Sequence, residues 1–320
     1  MDCTTEILSP DQAGITRASV LLAAGGLVAF PTETVYGLGA DARNGRAVAT
    51  VYQAKGRPSF NPLIVHVADL TEARKYADFS ETALRLATAF WPGPLSLVLP
   101  LKQNAGLSEL VTANLNTVAI RVPAHPIGRA LLHAFGGPVA APSANISGRV
   151  SPTTTAHVLE GLSGRIDAVI DGPACKVGLE STILAVSGST VSVLRSGGVE
   201  VERIEACLGH EIARPQDPET PQSPGQLLSH YAPEALIRLN AQHPHADEIL
   251  LGFGKQPDAA LNLSPSENLQ EAAANLFAYL RQIDEIATRH GKSIAVSPIP
   301  FVGLGLAMND RLNRAAAPRH

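Results

Sequence analysis

The feature that most constrains this chain is a set of short β-branched runs lying too close together for helices to join them. Leu27–Phe30 and Val35–Gly39 are separated only by the polar turn Pro31-Thr32-Glu33-Thr34, and Thr182–Val186 and Val191–Leu194 by a similarly short stretch. Parallel neighbours need a long crossover, so such pairs must run antiparallel. The apolar runs Leu63–Val67, Leu95–Leu99, Thr117–Val122, Val139–Ala141 and Ala168–Ile170 stand among helical stripes without regular alternation. This predicts an α/β (α+β) fold, with a twisted mixed sheet and flanking helices rather than a doubly wound parallel sheet.

The helix signals are local. Asp11 suits an N-cap, with Ile15, Ala18 and Leu22 on one stripe and Gly25-Gly26 as the stop. Asn44 suits a second N-cap, for a helix whose Val48, Val51 and Tyr52 share a face and which delivers Lys55 at its end. Further helices are expected at 70–77, 80–90 and 127–135. At 210–235 the composition shifts, and the Pro-rich polar stretch Arg214 to Pro221 reads as an extended linker. A second pattern follows: a strand at 248–253, a long helix at 269–289, a strand at 293–296 and a final helix at about 306–316. The expected organisation is a domain over 1–208, a linker or lid over 209–234, and a small three-layer α/β domain over 235–320.

Bulk properties exclude several function classes. The 320 residues include 45% hydrophobic and 17% charged, as in an ordinary globular protein with ample core. The net charge of −4 is no nucleic-acid footprint, and 4% aromatics offer few stacking platforms. Cys3, Cys175 and Cys207 lie far apart, with neither metal-ligand spacing nor enough thiols for a disulfide framework. The start, Met1 to Glu6, has no cationic segment followed by an apolar one, and no apolar run approaches the ~18 residues of a membrane span. No membrane association and a reducing cytoplasm are expected.

Candidate chemistry collects in the first domain. In Lys55-Gly56-Arg57-Pro58 two cations lie two apart; on an extended loop both would point to one side and suit an anion with several oxygens, such as a nucleotide phosphate. The alternative is a solvated basic turn. Arg121, among Val118, Ile120 and Val122, needs an anionic partner from protein or ligand if it points inward. Arg195, after Ser192-Val193-Leu194, poses the same question. His66 reads equally as a core histidine, and Ser143-Ala144-Asn145 as a simple turn. No Walker A loop, dinucleotide fingerprint or nucleophile elbow occurs, and neither Cys175 nor Cys207 has an activating context. Positioning and charge stabilisation of a phosphoryl-type reaction fit better than covalent catalysis.

Taken together the segments resemble the YrdC-domain family, in the long form of the threonylcarbamoyl-AMP synthases. The resemblance rests on Phe30-Pro31-Thr32-Glu33-Thr34-Val35-Tyr36-Gly37-Leu38, Lys55-Gly56-Arg57-Pro58 with Asn61-Pro62-Leu63, Trp91-Pro92-Gly93-Pro94, Arg121-Val122-Pro123, Pro142-Ser143-Ala144-Asn145, Glu180-Ser181-Thr182-Ile183 and Leu194-Arg195-Ser196-Gly197. After the linker it continues in Ser223-Pro224-Gly225, His230-Tyr231-Ala232-Pro233, Gly303-Leu304-Gly305-Leu306-Ala307 and Asp310-Arg311-Leu312. The resemblance implies a YrdC-like sheet and a nucleotidyltransferase joining L-threonine, bicarbonate and ATP into threonylcarbamoyl-adenylate, with release of pyrophosphate. It implies threonine contacts from Thr34, His66, Arg121, Ala141 and Ser181. It implies ATP contacts from Lys55, Arg57, Asn61, Thr117, Ser143, Asn145, Ser151, Arg195 and Tyr231, with Lys55 and Arg57 catalytic. Mg²⁺ would be held through the ATP phosphates and not by protein side chains alone. The product would pass to the tRNA threonylcarbamoyl transferase complex for tRNA modification, with tRNA binding by this chain weak or absent. One departure stands out: Gln226-Leu227-Leu228-Ser229 replaces the usual Met and basic or aromatic linker residues. Of the rival readings, hydrogenase-maturation proteins with a YrdC-like domain carry zinc fingers, for which this chain has too few cysteines. A tRNA-binding module without catalysis is opposed by the even charge.

Overall fold

The computed structural model describes residues 4–58, 60–213 and 231–318. Among the described residues, ten strands form one sheet: β1 (Glu6–Leu8), β2 (Val28–Phe30), β3 (Gly37–Asp41), β4 (Ile64–His66), β5 (Leu95–Pro100), β6 (Thr117–Arg121), β7 (Val139–Ala140), β8 (Ala168–Ile170), β9 (Thr182–Ser187) and β10 (Thr190–Arg195). Their order is β1-β8-β2-β3-β7-β4-β6-β5-β9-β10. The close pairs β2/β3 and β9/β10 are antiparallel, while β4/β6 and β5/β9 are parallel. The sheet is therefore mixed, as the spacing of the runs requires.

The helical caps follow the sequence signals. The Asp11 side chain accepts from Gly14 N at the start of Gln12–Ala23, and Asn44 accepts from Arg46 N and Ala47 N at the start of Gly45–Lys55. The expected strand over Val35–Gly39 starts two residues late, at Gly37. The cause is local: the Thr32 hydroxyl donates to Val35 O at 2.7 Å and accepts from Thr34 N and Val35 N, folding Thr32–Val35 into a turn that competes with the ladder. The expected helix over 70–77 is a single short turn, Leu70–Ala73.

Strand parity divides the sheet chemically. Val65, Leu97, Val118, Ile120 and Leu184 belong to the main core, whereas Ile64, Val98, Ala119 and Ile183 form a small separate apolar cluster. Side chains alternate between faces along a strand, so His66 and Arg121 fall on the face of Ile64 and Ala119, away from the main core. They are also register partners in the parallel pair β4/β6.

The C-terminal unit holds β11 (Ile237–Arg238), β12 (Glu248–Gly252), β13 (Leu261–Asn262) and β14 (Ser293–Val296), all parallel, in the order β11-β14-β12-β13. The helices Leu269–Arg289 and Leu304–Ala316 share one hydrophobic cluster with Leu251, Ile294 and Val296. That cluster extends across to Val35, Val150 and Leu179, so the two units share a continuous apolar seam. The atypical linker residues 226–229 lie outside the described residues. Among those described, no helix is long and apolar enough to cross a membrane.

Candidate functional site

Four local devices bring distant side chains to one cleft. The first is the ladder that sets His66 beside Arg121. The second is the Thr32 turn, which aims Thr34 at Arg121: Arg121 Nη1 donates to Thr34 Oγ1 at 2.9 Å. The third is the bulge in β10. Val193 pairs with Leu184 but Arg195 pairs with Ile183, two steps on one strand against one on the other. Strict alternation would place Arg195 with Val193, on the main-core side. The bulge turns it to the face of Ile183, where its Nε and Nη2 donate to Ser181 O at 3.2 and 2.9 Å. The fourth is Gly56, which ends its helix in the left-handed region at φ 59°.

Gly56 also changes the reading of the two neighbouring cations. Lys55 is the last helical residue and the chain reverses after it, so Lys55 and Arg57 do not share the side of an extended loop. Lys55 Nζ donates to Ser143 O and Asn145 O, both at 2.6 Å, while Arg57 donates to Asn61 O at 3.3 Å and Pro62 O at 3.0 Å. Neither is a solvated turn residue: Lys55 is 1% and Arg57 9% exposed. Burial, then repulsion from Arg57, pushes the Lys55 ammonium well below the usual lysine range. Burial brings Arg57 down to about 10.

The cleft is lined by Thr32, Thr34, Val35, Gly37, Arg57, Ile64, His66, Arg121, Ala141, Pro142, Ser143, Glu180, Ser181, Arg195 and Tyr231. All five residues expected to contact threonine are present: Thr34, His66, Arg121, Ala141 and Ser181. Arg57, Ser143, Arg195 and Tyr231 of the expected ATP set are with them. Lys55, Asn61, Thr117, Asn145 and Ser151 do not line it. Asn145 Nδ2 donates to Ile146 O and Arg149 O, tying up its own loop, and Ser151 Oγ donates to Glu180 Oε1 at 2.6 Å. Asn61 is buried and its carbonyl accepts from Tyr52 and Arg57. Thr117 sits at the start of β6, paired with Pro100 at the opposite end from Arg121.

Sequence reasoning assigned no role to Glu33 or Glu180. Arg121 Nη2 donates to Glu33 Oε1 at 2.6 Å, and Glu33 Oε2 accepts from Ala124 N at 3.0 Å. Burial pushes the Glu33 carboxyl up, but attraction to Arg121 together with the hydrogen bonds from Arg121 and the backbone holds it low. The signal was available, since a strand-centre Arg demands an anion, and Glu33 is the acidic residue inside the Pro31–Thr34 turn. Glu180 lines the cleft between Ser151 and Arg311, whose Nε donates to its Oε2 at 3.0 Å. No spacing in the sequence announced that contact.

His66 is neutral here. Its Nδ1 lies 3.3 Å from Ile64 O, which can only accept, so Nδ1 carries the hydrogen and Nε2 keeps its lone pair. Burial, then Arg121, lowers its pKa to about 3. Protonation is favoured in the unfolded chain from about pH 6.5 downward but resisted in the fold until about 3, so stability is full above 6.5 and drains as pH falls through that window. His66→Gln is expected to lose about 2 kcal/mol less than the parent between pH 7 and 5, read from urea midpoints. Equal losses in both proteins would refute a neutral buried imidazole.

A cleft with paired cationic and hydroxyl groups on one face of a mixed sheet defines a class: an α/β protein with a pocket suited to an anionic small molecule beside an amino acid-sized one. Residues 20–197 match the Sua5/YciO/YrdC model, described as telomere recombination, and residues 199–317 the threonylcarbamoyl-AMP synthase C-terminal domain. The chain is 40% identical to the threonylcarbamoyl-AMP synthase of Bacillus subtilis, over 98% of this chain and 96% of that one. It is 38% identical to that of Pyrococcus abyssi over 95% and 94%. The crystal structure of P. abyssi Sua5 complexed with L-threonine superposes with a TM-score of 0.89 at 36% identity, covering 98% of both chains. Escherichia coli YciO shares the fold of the first domain, with a TM-score of 0.55 at 24% identity over 61% of this chain and 96% of that one. The chain belongs to the Sua5/YrdC family, with the C-terminal domain of its long members.

Proposed function

We propose that the chain is an L-threonylcarbamoyladenylate synthase, a nucleotidyltransferase using L-threonine, bicarbonate and ATP. The observation that carries this reading is the convergence of nine expected contacts on one cleft, five for threonine and four for ATP. In the first step the threonine amine bonds to the carbon of bicarbonate and water leaves, giving a carbamate. A carbamate oxygen then bonds to the α-phosphorus of ATP, the bond to the β-phosphate oxygen breaks, and pyrophosphate departs. Arg121 meets the threonine carboxylate at one end. Arg57, which needs no proton exchange to stay charged, faces the charge building on the phosphates with Arg195. Lys55 acts behind the wall, holding Ser143 and Asn145.

Among the described residues, no three His, Cys, Asp or Glu side chains cluster as a metal cage, and Glu180, the one carboxylate lining the cleft, is engaged by Ser151 and Arg311. The reading therefore puts Mg²⁺ on the phosphate oxygens of ATP, where it would neutralise their charge. The adenylate is labile, so its use for tRNA modification requires prompt transfer to a tRNA threonylcarbamoyl transferase, in the cytoplasm where ATP and tRNA meet.

The direct test is pyrophosphate release. It is expected only when ATP, threonine and bicarbonate are all present, falling to background on omitting any one of them. Release that is indifferent to threonine would refute the reading.

A further inference from the structure

Ion pairs join the first domain to the linker and to the C-terminal domain, and one is unlike the rest. Arg149–Glu234, at the end of the linker, and Arg281–Glu160 each have an exposed partner. Arg311, from the C-terminal helix Leu304–Ala316, is fully buried and reaches Glu180 in the wall of the cleft. Its Nη1 is held by Asp310 Oδ2 at 2.6 Å, its guanidinium lies 5.6 Å from the Tyr231 ring centre, and its Nη2 has no hydrogen-bond partner among the described residues. Buried ion pairs seldom repay their desolvation, and an unsatisfied donor adds to the cost. Stability alone is a poor reason for this arrangement.

Resting on the function proposed above, we infer that Arg311 is a positioning residue, through which the C-terminal domain fixes Glu180 and, beyond it, the cleft hydroxyls. The relay is short. Glu180 Oε1 accepts from the Ser151 hydroxyl at 2.6 Å, and Glu180 O accepts from Gly198 N at 2.9 Å. The next residue, Ser181, lines the cleft, and its carbonyl seats Arg195. A guanidinium from the second domain thus sets a carboxylate whose neighbours hold both substrate ends. A role of that domain follows: it braces the wall of the first domain's cleft from behind with one charge.

The charged and titratable groups facing Glu180 are Arg311 from the C-terminal helix, itself paired with Asp310, Arg195 from β10, and Tyr231. Burial raises the Glu180 carboxyl, but attraction to Arg311 and then Arg195, with the Ser151 hydrogen bond, holds it down to about 2. Removing Arg311 removes the largest attraction and leaves the burial, so the carboxyl titrates upward.

The test uses the full chain with R311M, R311K, E180Q and R311M/E180Q, assayed as pyrophosphate release against pH. Calorimetric binding of threonine and of a non-hydrolysable ATP analogue is measured in parallel. R311M is expected to lose about 10²-fold in kcat/KM for ATP, as a displaced wall does. Its acid limb, taken relative to the parent, should rise by at least about one pH unit. R311K should recover to within about tenfold of the parent, and the double variant should be no worse than R311M, since both changes cut one link. The double variant, which removes both charges of the pair, keeps the test open if R311M fails to fold. R311M within about threefold of the parent, an unmoved acid limb, or losses that multiply in the double variant would each overturn the inference. If the parent releases no pyrophosphate, the proposed function falls while the same pattern is still read from the binding titrations; a parent binding neither ligand overturns both.

Discussion

Arg121→Ala is expected to abolish threonine use and to destabilise the first domain at the same time. The guanidinium makes three contacts: to Gly93 O, Thr34 Oγ1 and Glu33 Oε1. It is 3% exposed, and Glu33 is 9% exposed. Removing one partner of such a pair strands the other charge in the interior, at a cost of about 3–5 kcal/mol. A drop in activity from this variant alone would therefore be ambiguous. The double variant Arg121→Ala/Glu33→Gln separates the causes, because it removes the stranded carboxylate as well. It should regain about 2 kcal/mol or more of the lost stability, read from denaturant midpoints, because the amide no longer carries a buried charge. Its KM for threonine should stay about 10²- to 10³-fold above the parent, since the proposed partner for the amino-acid carboxylate is gone. ATP binding should change much less. Equal losses for threonine and ATP would count against Arg121 as the threonine carboxylate's partner. Full recovery of threonine use in the double variant would show that its role is only to neutralise Glu33.

Lys55→Met separates two roles that the resemblance had merged. The family reading puts Lys55 on the phosphates, whereas its ammonium here is spent on Ser143 O and Asn145 O at 2.6 Å and does not line the cleft. Methionine matches the volume, so no cavity opens, but two carbonyls of the 143–145 turn lose their donor. Ser143 O keeps its bond from Asn145 N, so it is Asn145 O that is left unsatisfied, at a cost of about 2 kcal/mol. For a domain of this size that lowers Tm by about 4–8 °C. Ser143 lines the cleft, so kcat/KM for ATP should fall together with Tm, by about tenfold or more. A variant with unchanged Tm and strongly reduced ATP use would mean that Lys55 leaves its carbonyls and meets the phosphates directly.

Much of the first domain could be read residue by residue. Asp11 and Asn44 cap their helices because a side-chain oxygen one step before a helix can reach its first N–H groups, which is a local matter. The antiparallel pairing of β2 with β3 followed from the short turn between them. Errors arose where local signals competed. Val35 and Tyr36 look like strand residues, but the Thr32 hydroxyl captured the turn. Lys55 and Arg57 look alike in an extended reading, yet Gly56 at φ 59° sends them to different carbonyls. The cleft contacts of Thr34, His66, Arg121, Ala141 and Ser181 came from the family pattern rather than from any spacing.

What the sequence determined by itself is local and periodic: caps, alternation, the antiparallel turns, and the demand of a strand-centre Arg for an anion. These depend on neighbours within a few residues, or on the cost of burying a charge wherever it lies. The nearby Glu33 was a candidate anion for Arg121, and the tertiary structure seated it there. The tertiary structure alone brought Glu180 to Arg311, and its bulge in β10 turned Arg195 from the core side to the cleft. Those outcomes depend on strand order and on the docking of a second domain 131 residues away in the chain, and no local pattern encodes either.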